Sequence, residues 1–143
     1  YFPPAGRRGL SLERFNLWGD NFDESLLDFE PILVPMIESK KGIENVAEIA
    51  ALPAVDALFF GPYDLSADLG VPGDFVHPSF LDALAAVKQA GKDHGKAVGG
   101  HQVAPDPAAL DVMIDDGFTF IAFGTDMIAM RTALKTFADR SAP

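Results

Sequence analysis

Pro31-Ile32-Leu33-Val34-Pro35-Met36-Ile37-Glu38-Ser39 and Asp56-Ala57-Leu58-Phe59-Phe60-Gly61-Pro62-Tyr63-Asp64-Leu65-Ser66 decide the fold. Each is an apolar run that ends in a carboxylate, Glu38 in the first and Asp64 in the second. Near-continuous apolar runs of this length suit strands buried on both faces, as in a parallel sheet. Pro35 removes one ladder donor, so the first strand is expected to be irregular near its end. Between the runs lies a helical pattern. Ser39 can cap it, Ile43, Val46, Ala47 and Ala50 fall on one face, Glu44 and Glu48 point outward, and Pro53 stops it. The reading is strand, acid, helix, strand, acid. In parallel α/β folds such strand ends open onto one face, where ligands bind.

Working forward, Tyr63 to Leu69 reads as a short helix closed by Gly70, and Pro72-Gly73-Asp74 is a turn. Pro78 stands at the first position of the longest helix, whose stripe is Phe80, Ala83, Leu84, Val87 and Ala90, ending near Gly95. Lys96 to Gly99 reads as a third strand, followed by a polar turn, Gly100-His101-Gln102. Pro105 or Pro107 opens a helix through Leu110, Met113 and Ile114 to Gly117. Phe118 to Phe123 is a fourth strand ending at Gly124-Thr125-Asp126, and Met127, Ile128, Leu134 and Phe137 mark a last helix. Strict alternation without hairpin signals argues for a parallel sheet with helical crossovers.

Working backward, Pro3-Pro4-Ala5-Gly6-Arg7-Arg8-Gly9 is loop-like, and Leu12 to Leu27 reads as loop and weak helix. Arg7 and Arg8 suit a solvated pair better than an anion site. The expectation is one domain, with residues 1–30 as a lead-in and 31–143 as four β/α units. A closed eight-stranded barrel takes roughly 200–250 residues, whereas this chain has 143. It is expected to be half of such a barrel, read from a piece of something longer. An open four-stranded sheet is the alternative, and it would leave the edge strand Ile32–Ile37 uncovered, an aggregation hazard. Both edges, Ile32–Ile37 and Phe118–Phe123, point to a partner chain or a homo-oligomer.

Composition narrows the partners. Hydrophobic residues make up 48% and charged residues 22%, and 11 Lys+Arg against 21 Asp+Glu leave a net charge of −10. That balance disfavours nucleic acid and anionic membrane, which call for basic patches. No cysteine is present, so thiolate metal sites and disulfides are excluded. No apolar run approaches the roughly 20 residues of a membrane span, and a cytoplasmic location is expected.

Acids on adjacent strand ends can converge on one point, since neighbouring strands lie about 4.8 Å apart. Two carboxylates completed by water or substrate oxygens match Mg²⁺ or Mn²⁺. The same acids could instead simply favour helix N-termini. Spacing alone leaves both readings open.

The residues also resemble a known family. Met36-Ile37-Glu38-Ser39, Gly42, Asn45, Gly61-Pro62-Tyr63-Asp64-Leu65-Ser66 and Gly70 are similar to the HpcH/HpaI aldolases. Pro3–Gly9 and Phe120-Ile121-Ala122-Phe123-Gly124-Thr125-Asp126 follow the pattern too. The resemblance implies a (β/α)₈ barrel of the phosphoenolpyruvate/pyruvate superfamily, of which this chain would be the C-terminal half, about strands five to eight, and a class II aldolase that cleaves a 4-hydroxy-2-oxo acid to pyruvate and an aldehyde. It implies Glu38 and Asp64 as ligands of a divalent cation (Mg²⁺ or Mn²⁺, with Co²⁺ admissible). Met36, Gly61, Pro62, Tyr63 and Asp64 are implied as substrate-binding, with the Tyr63 and Asp64 N–H groups on the pyruvate carboxylate. Trimers or hexamers are implied for the full barrel.

Two departures stand out. Some family members carry Gln where this chain has Met36, which cannot donate a hydrogen bond, although many relatives carry Met here as well. The catalytic residues are unknown here, because the family's base histidine and enolate-stabilising arginine are expected in the absent N-terminal half. His77 and His94 are misplaced for either role; His101 sits nearer the mouth. Lys40 and Lys41 look solvated, which disfavours a Schiff base. The rival readings are a citrate-lyase-β-like or malyl-CoA-lyase-like enzyme, whose need for a CoA-binding surface suits so acidic a chain less well, and a non-catalytic oxo-acid-binding half-barrel module.

Overall fold

A computed structural model describes residues 31–141. The expectations for Pro3–Gly9, Arg7, Arg8 and Leu12–Leu27 lie outside the described residues. The chain divides into two compact units, Tyr1–Pro31 and Ile32–Pro143, and the elements named here belong to the second. They are β1 (Met36–Ile37), α1 (Lys40–Glu44), α2 (Val46–Ala51), β2 (Ala57–Phe60), α3 (Pro62–Asp68), α4 (Pro78–His94), β3 (Ala97–Gln102), α5 (Pro107–Asp115), β4 (Phe120–Phe123) and α6 (Asp126–Ser141).

The four strands form one sheet in the order β1-β2-β3-β4, with every neighbouring pair parallel. Sequential order in a parallel sheet requires each crossover to run over the same side, which is the winding of a barrel rather than a doubly wound sheet. The expected edges are therefore the observed ones, β1 and β4.

Local chemistry explains most boundaries. Pro62, Pro78 and Pro107 each stand at a helix start, where the missing N–H costs no hydrogen bond. His77 caps α4, its Nδ1 accepting from the Ser79 N–H at 3.3 Å, and Asp106 caps α5 through the Ala108 N–H at 3.0 Å. Gly95 ends α4 in the left-handed region at φ 63°, which glycine enters without steric cost.

Several expectations are corrected. The first strand is only Met36–Ile37. Its upstream run still lies along β2, with Leu33 O accepting from the Asp56 N–H and Pro35 O from the Phe59 N–H, both at 2.9 Å, but proline supplies no reciprocal donor. The helix after Ser39 breaks at Asn45 (φ −106°, ψ 6°) into α1 and α2. The break rotates the stripe, so Ala47 is exposed and Ile49 packs against the core in its place. Gly100-His101-Gln102 is strand, not turn: β3 runs on because Gly100, His101 and Gln102 pair with Ile121, Ala122 and Phe123 of β4. Phe118 precedes β4 and enters the core instead.

The core lies between the sheet and its helices. Ile37, Leu58, Phe60 and Val98 from the strands meet Val46, Ala50, Phe80, Ala83, Val87 and Ala90. On α4, a Cβ added at Gly91 would collide with the Val98 side chain and approach Lys96 O to 3.0 Å. That glycine lets the longest helix lie close on β3.

Candidate active site

Alternate residues of a strand point to opposite faces of the sheet, so register fixes which side chains meet at the strand ends. Met36, Phe59, Gly99 and Phe120 lie in one row across the four strands. Their shared face is confirmed at Gly99, where an added Cβ would meet the Phe59 and Phe120 rings at 2.8 and 2.7 Å. Two residues further along, His101 pairs with Ala122, and the register of the other strands, extended past the ends of their ladders, aligns Gly61 and Glu38 with them. These four occupy the C-terminal end of the sheet, on the face away from the helices.

Gly61 makes room for the first acid. A Cβ there would stand 2.9 Å from Glu38 Cβ and 3.2 Å from its Oε2, and 3.4 Å from Met36 Cγ. The half-buried Glu38 side chain thus lies over the backbone at the start of α3. Asp64, in the first turn of α3, is exposed. Among the described residues, neither carboxylate has a hydrogen bond or an ion pair; the one ion pair among them is Lys88–Asp116.

Around this point lies a cavity of about 170 Å³ lined by Met36, Gly61, Pro62, Tyr63 and Asp64. All five residues expected to bind substrate are therefore together, joined by His101. A larger, mostly apolar cavity of about 440 Å³ adjoins it, lined by Phe60, Phe75 and Phe118 among others, and His101 borders both.

The surrounding shell is well tied. Tyr63 packs edge-on against Phe75 at 5.1 Å, Phe75 against Phe80 at 5.2 Å and Phe80 against Phe60 at 5.5 Å, a chain of rings from the mouth into the core. Ser66, fully buried, donates to Tyr63 O at 2.8 Å and accepts from the Gly73 N–H at 2.9 Å. Its hydroxyl clamps the turn after α3 onto that helix. His101 Nε2 is 3.0 Å from Gly124 O. A carbonyl only accepts, so Nε2 carries a proton and donates it to Gly124 O.

His77 and His94 sit at the two ends of α4, outside the row. Lys40 and Lys41 are exposed in the first turn of α1. The two acids are oxygen donors of the kind a hard divalent cation takes, and among the described residues neither is engaged by a partner. Among the described residues no cluster of three or more His, Asp or Glu side chains could complete such a site. The remaining positions would fall to substrate and water.

Residues 22–133 match the family described as HpcH/HpaI aldolase/citrate lyase. The chain is 39% identical over 142 residues to a 5-keto-4-deoxy-D-glucarate aldolase of Klebsiella pneumoniae, covering 96% of this chain and 54% of that protein. It superposes on an HpcH/HpaI aldolase/citrate lyase family protein from Burkholderia cenocepacia with a TM-score of 0.77, at 35% identity and over 96% of this chain and 53% of that one. An HpcH/HpaI aldolase from Desulfitobacterium hafniense gives a TM-score of 0.72 at 27% identity, over 99% of this chain and 56% of that one. The chain thus spans about half the length of the relatives it matches, and its four β/α units are half of the barrel.

Proposed function

The chain belongs to the HpcH/HpaI aldolase/citrate lyase family, and from that premise we propose that it supplies the metal-binding end of a class II aldolase about twice its length. The reaction is cleavage of a 4-hydroxy-2-oxo acid to pyruvate and an aldehyde. One observation carries this reading: Met36, Gly61, Pro62, Tyr63 and Asp64 line a single small cavity, and the Glu38 side chain lies against Gly61, one of those lining residues.

The name of the Klebsiella relative supplies a concrete substrate class. In 5-keto-4-deoxy-D-glucarate the ketone at C5 adjoins a CH₂ at C4 and a hydroxyl at C3. Removal of the C3 hydroxyl proton turns C3 into an aldehyde carbon, breaks C3–C4 and sends the bonding pair toward the C5 oxygen. Protonation at C4 then completes pyruvate. Glu38 and Asp64 would hold the divalent cation, which supplies Lewis-acid stabilisation of the charge growing on that oxygen. Two carboxylates leave a divalent ion open positions for oxygen ligands.

The other groups have assignable parts. Met36 offers only a thioether, so the substrate is gripped there by packing rather than by a donated hydrogen bond. His101, held through Nε2 by Gly124 O and bordering both cavities, would face the hydroxylated, aldehyde-forming half of the substrate. The base that takes the C3 hydroxyl proton is assigned to the remainder of the barrel. Assembly of the full barrel into a homo-oligomer belongs to the same proposal.

The test is pyruvate release by the full-length protein from 5-keto-4-deoxy-D-glucarate, before and after EDTA and after Mn²⁺ or Mg²⁺ is restored. The expected result is turnover that EDTA abolishes and metal returns. Cleavage of an acyl-CoA instead, or EDTA-resistant turnover trapped by borohydride, would overturn it.

A further inference from the structure

Glu38 and Asp64 have no direct bond to any described residue, so something else must fix their separation. Two hydrogen bonds made by the backbone on either side of Glu38, one to backbone and one to a side chain, lead to the segment that carries Asp64. Before it, Ile37 O accepts from the Gly61 N–H at 3.0 Å. After it, the Lys40 N–H donates to Asp68 Oδ2 at 2.6 Å, across 28 residues of sequence. Asp68 stands four residues beyond Asp64 in α3, one turn along the same side of the helix.

The second bond is not needed merely to start α1. Helix starts leave their first N–H groups open, and a local side chain or water ordinarily satisfies them. Ser39 already does this, its Oγ accepting from the Gly42 N–H at 3.1 Å. Asp68 reaches from another element to the N–H two residues past Glu38. The charge-assisted bond is short for its class, and it closes the strand exit of Glu38 onto the helix of Asp64.

We propose that Asp68 is a positioning residue for the Glu38–Asp64 pair. Through Lys40 N–H it holds the two carboxylates at the spacing that a divalent cation requires. Asp68 is not itself a third ligand, since no three acidic or histidine side chains cluster among the described residues. The proposal rests on the metal reading above and deepens it.

Mn²⁺ titration of the full-length protein, followed by electron paramagnetic resonance alongside thermal unfolding of the metal-free form, tests it. Asp68→Ala is expected to weaken Mn²⁺ binding by roughly 10-fold or more, the range seen when outer-shell partners of metal ligands are removed. Asp68→Asn keeps an acceptor oxygen and should restore most of the affinity. Ser39→Ala removes the local cap of the same helix and should lower the unfolding temperature with little change in Mn²⁺ affinity. Wild-type affinity in Asp68→Ala would reduce Asp68 to a helix cap and overturn the proposal. Equal weakness in Asp68→Asn and Asp68→Ala would assign the effect to charge and overturn it as well. Glu38→Gln separates the two levels: if it binds Mn²⁺ like the wild type, the metal reading itself fails.

Discussion

The two faces of the sheet share one backbone and differ in almost everything else. Toward the helices, Ile37, Leu58, Phe60 and Val98 are buried, Leu58 completely. On the other face, Met36 and Phe120 are 54% and 45% exposed, and two of the central positions, Gly61 and Gly99, carry no side chain. The helix face is filled to hold the sheet together. The open face is emptied where Glu38, Asp64 and His101 need space. One strand can serve both ends because its side chains alternate.

The largest effect that should separate the faces is on stability. Leu58→Ala leaves a cavity in the filled face and should cost about 2–5 kcal/mol in denaturant unfolding, with Mn²⁺ affinity of the folded protein unchanged. Gly99→Ala comes next, on the open face but away from the acids. Its Cβ would meet Phe120 O at 2.6 Å as well as two rings, and overpacking of that kind costs about 1–3 kcal/mol. A neutral Gly99→Ala would mean that the open face is looser than these contacts require.

Gly61→Ala sharpens the contrast from the other side. Its backbone (φ −99°, ψ 87°) admits any residue, so the penalty is the Glu38 side chain displaced from its seat. Stability should fall by about 1 kcal/mol, the low end for overpacking, while Mn²⁺ affinity drops clearly. The reverse pattern would show that Gly61 serves packing rather than the acid. The smallest effect belongs to Lys88, which spans from α4 to Asp116 with a 2.6 Å ion pair and a 2.7 Å bond to its carbonyl. Lys88→Ala should cost about 0.2–1 kcal/mol and leave metal binding untouched.

How much of this was legible in the sequence follows from where the determining contacts lie. Pro78 and Gly95 bound α4 through their own backbone restrictions, and the acids at 38 and 64 are visible as polar ends of apolar runs. Gly100-His101-Gln102 reads as a turn because such residues favour strands weakly; pairing with β4, a contact distant in sequence, makes it strand. That extension is what brings His101 into the row of Glu38 and Gly61. The break at Asn45 was equally hidden, since its side chain bonds Lys41 O at 2.6 Å while the apolar spacing runs on through it. Asp68 gave no signal at all, because its partner is a backbone N–H in another element.

The most direct measurement is Mn²⁺ binding to the full-length protein beside its Glu38→Gln and Asp64→Asn variants, with circular dichroism to confirm that each is folded. One tight site is expected in the wild type, and both variants should lose it while keeping the native spectrum. A folded variant of either kind that still binds Mn²⁺ as the wild type does would contradict the assignment of these two carboxylates as the metal site.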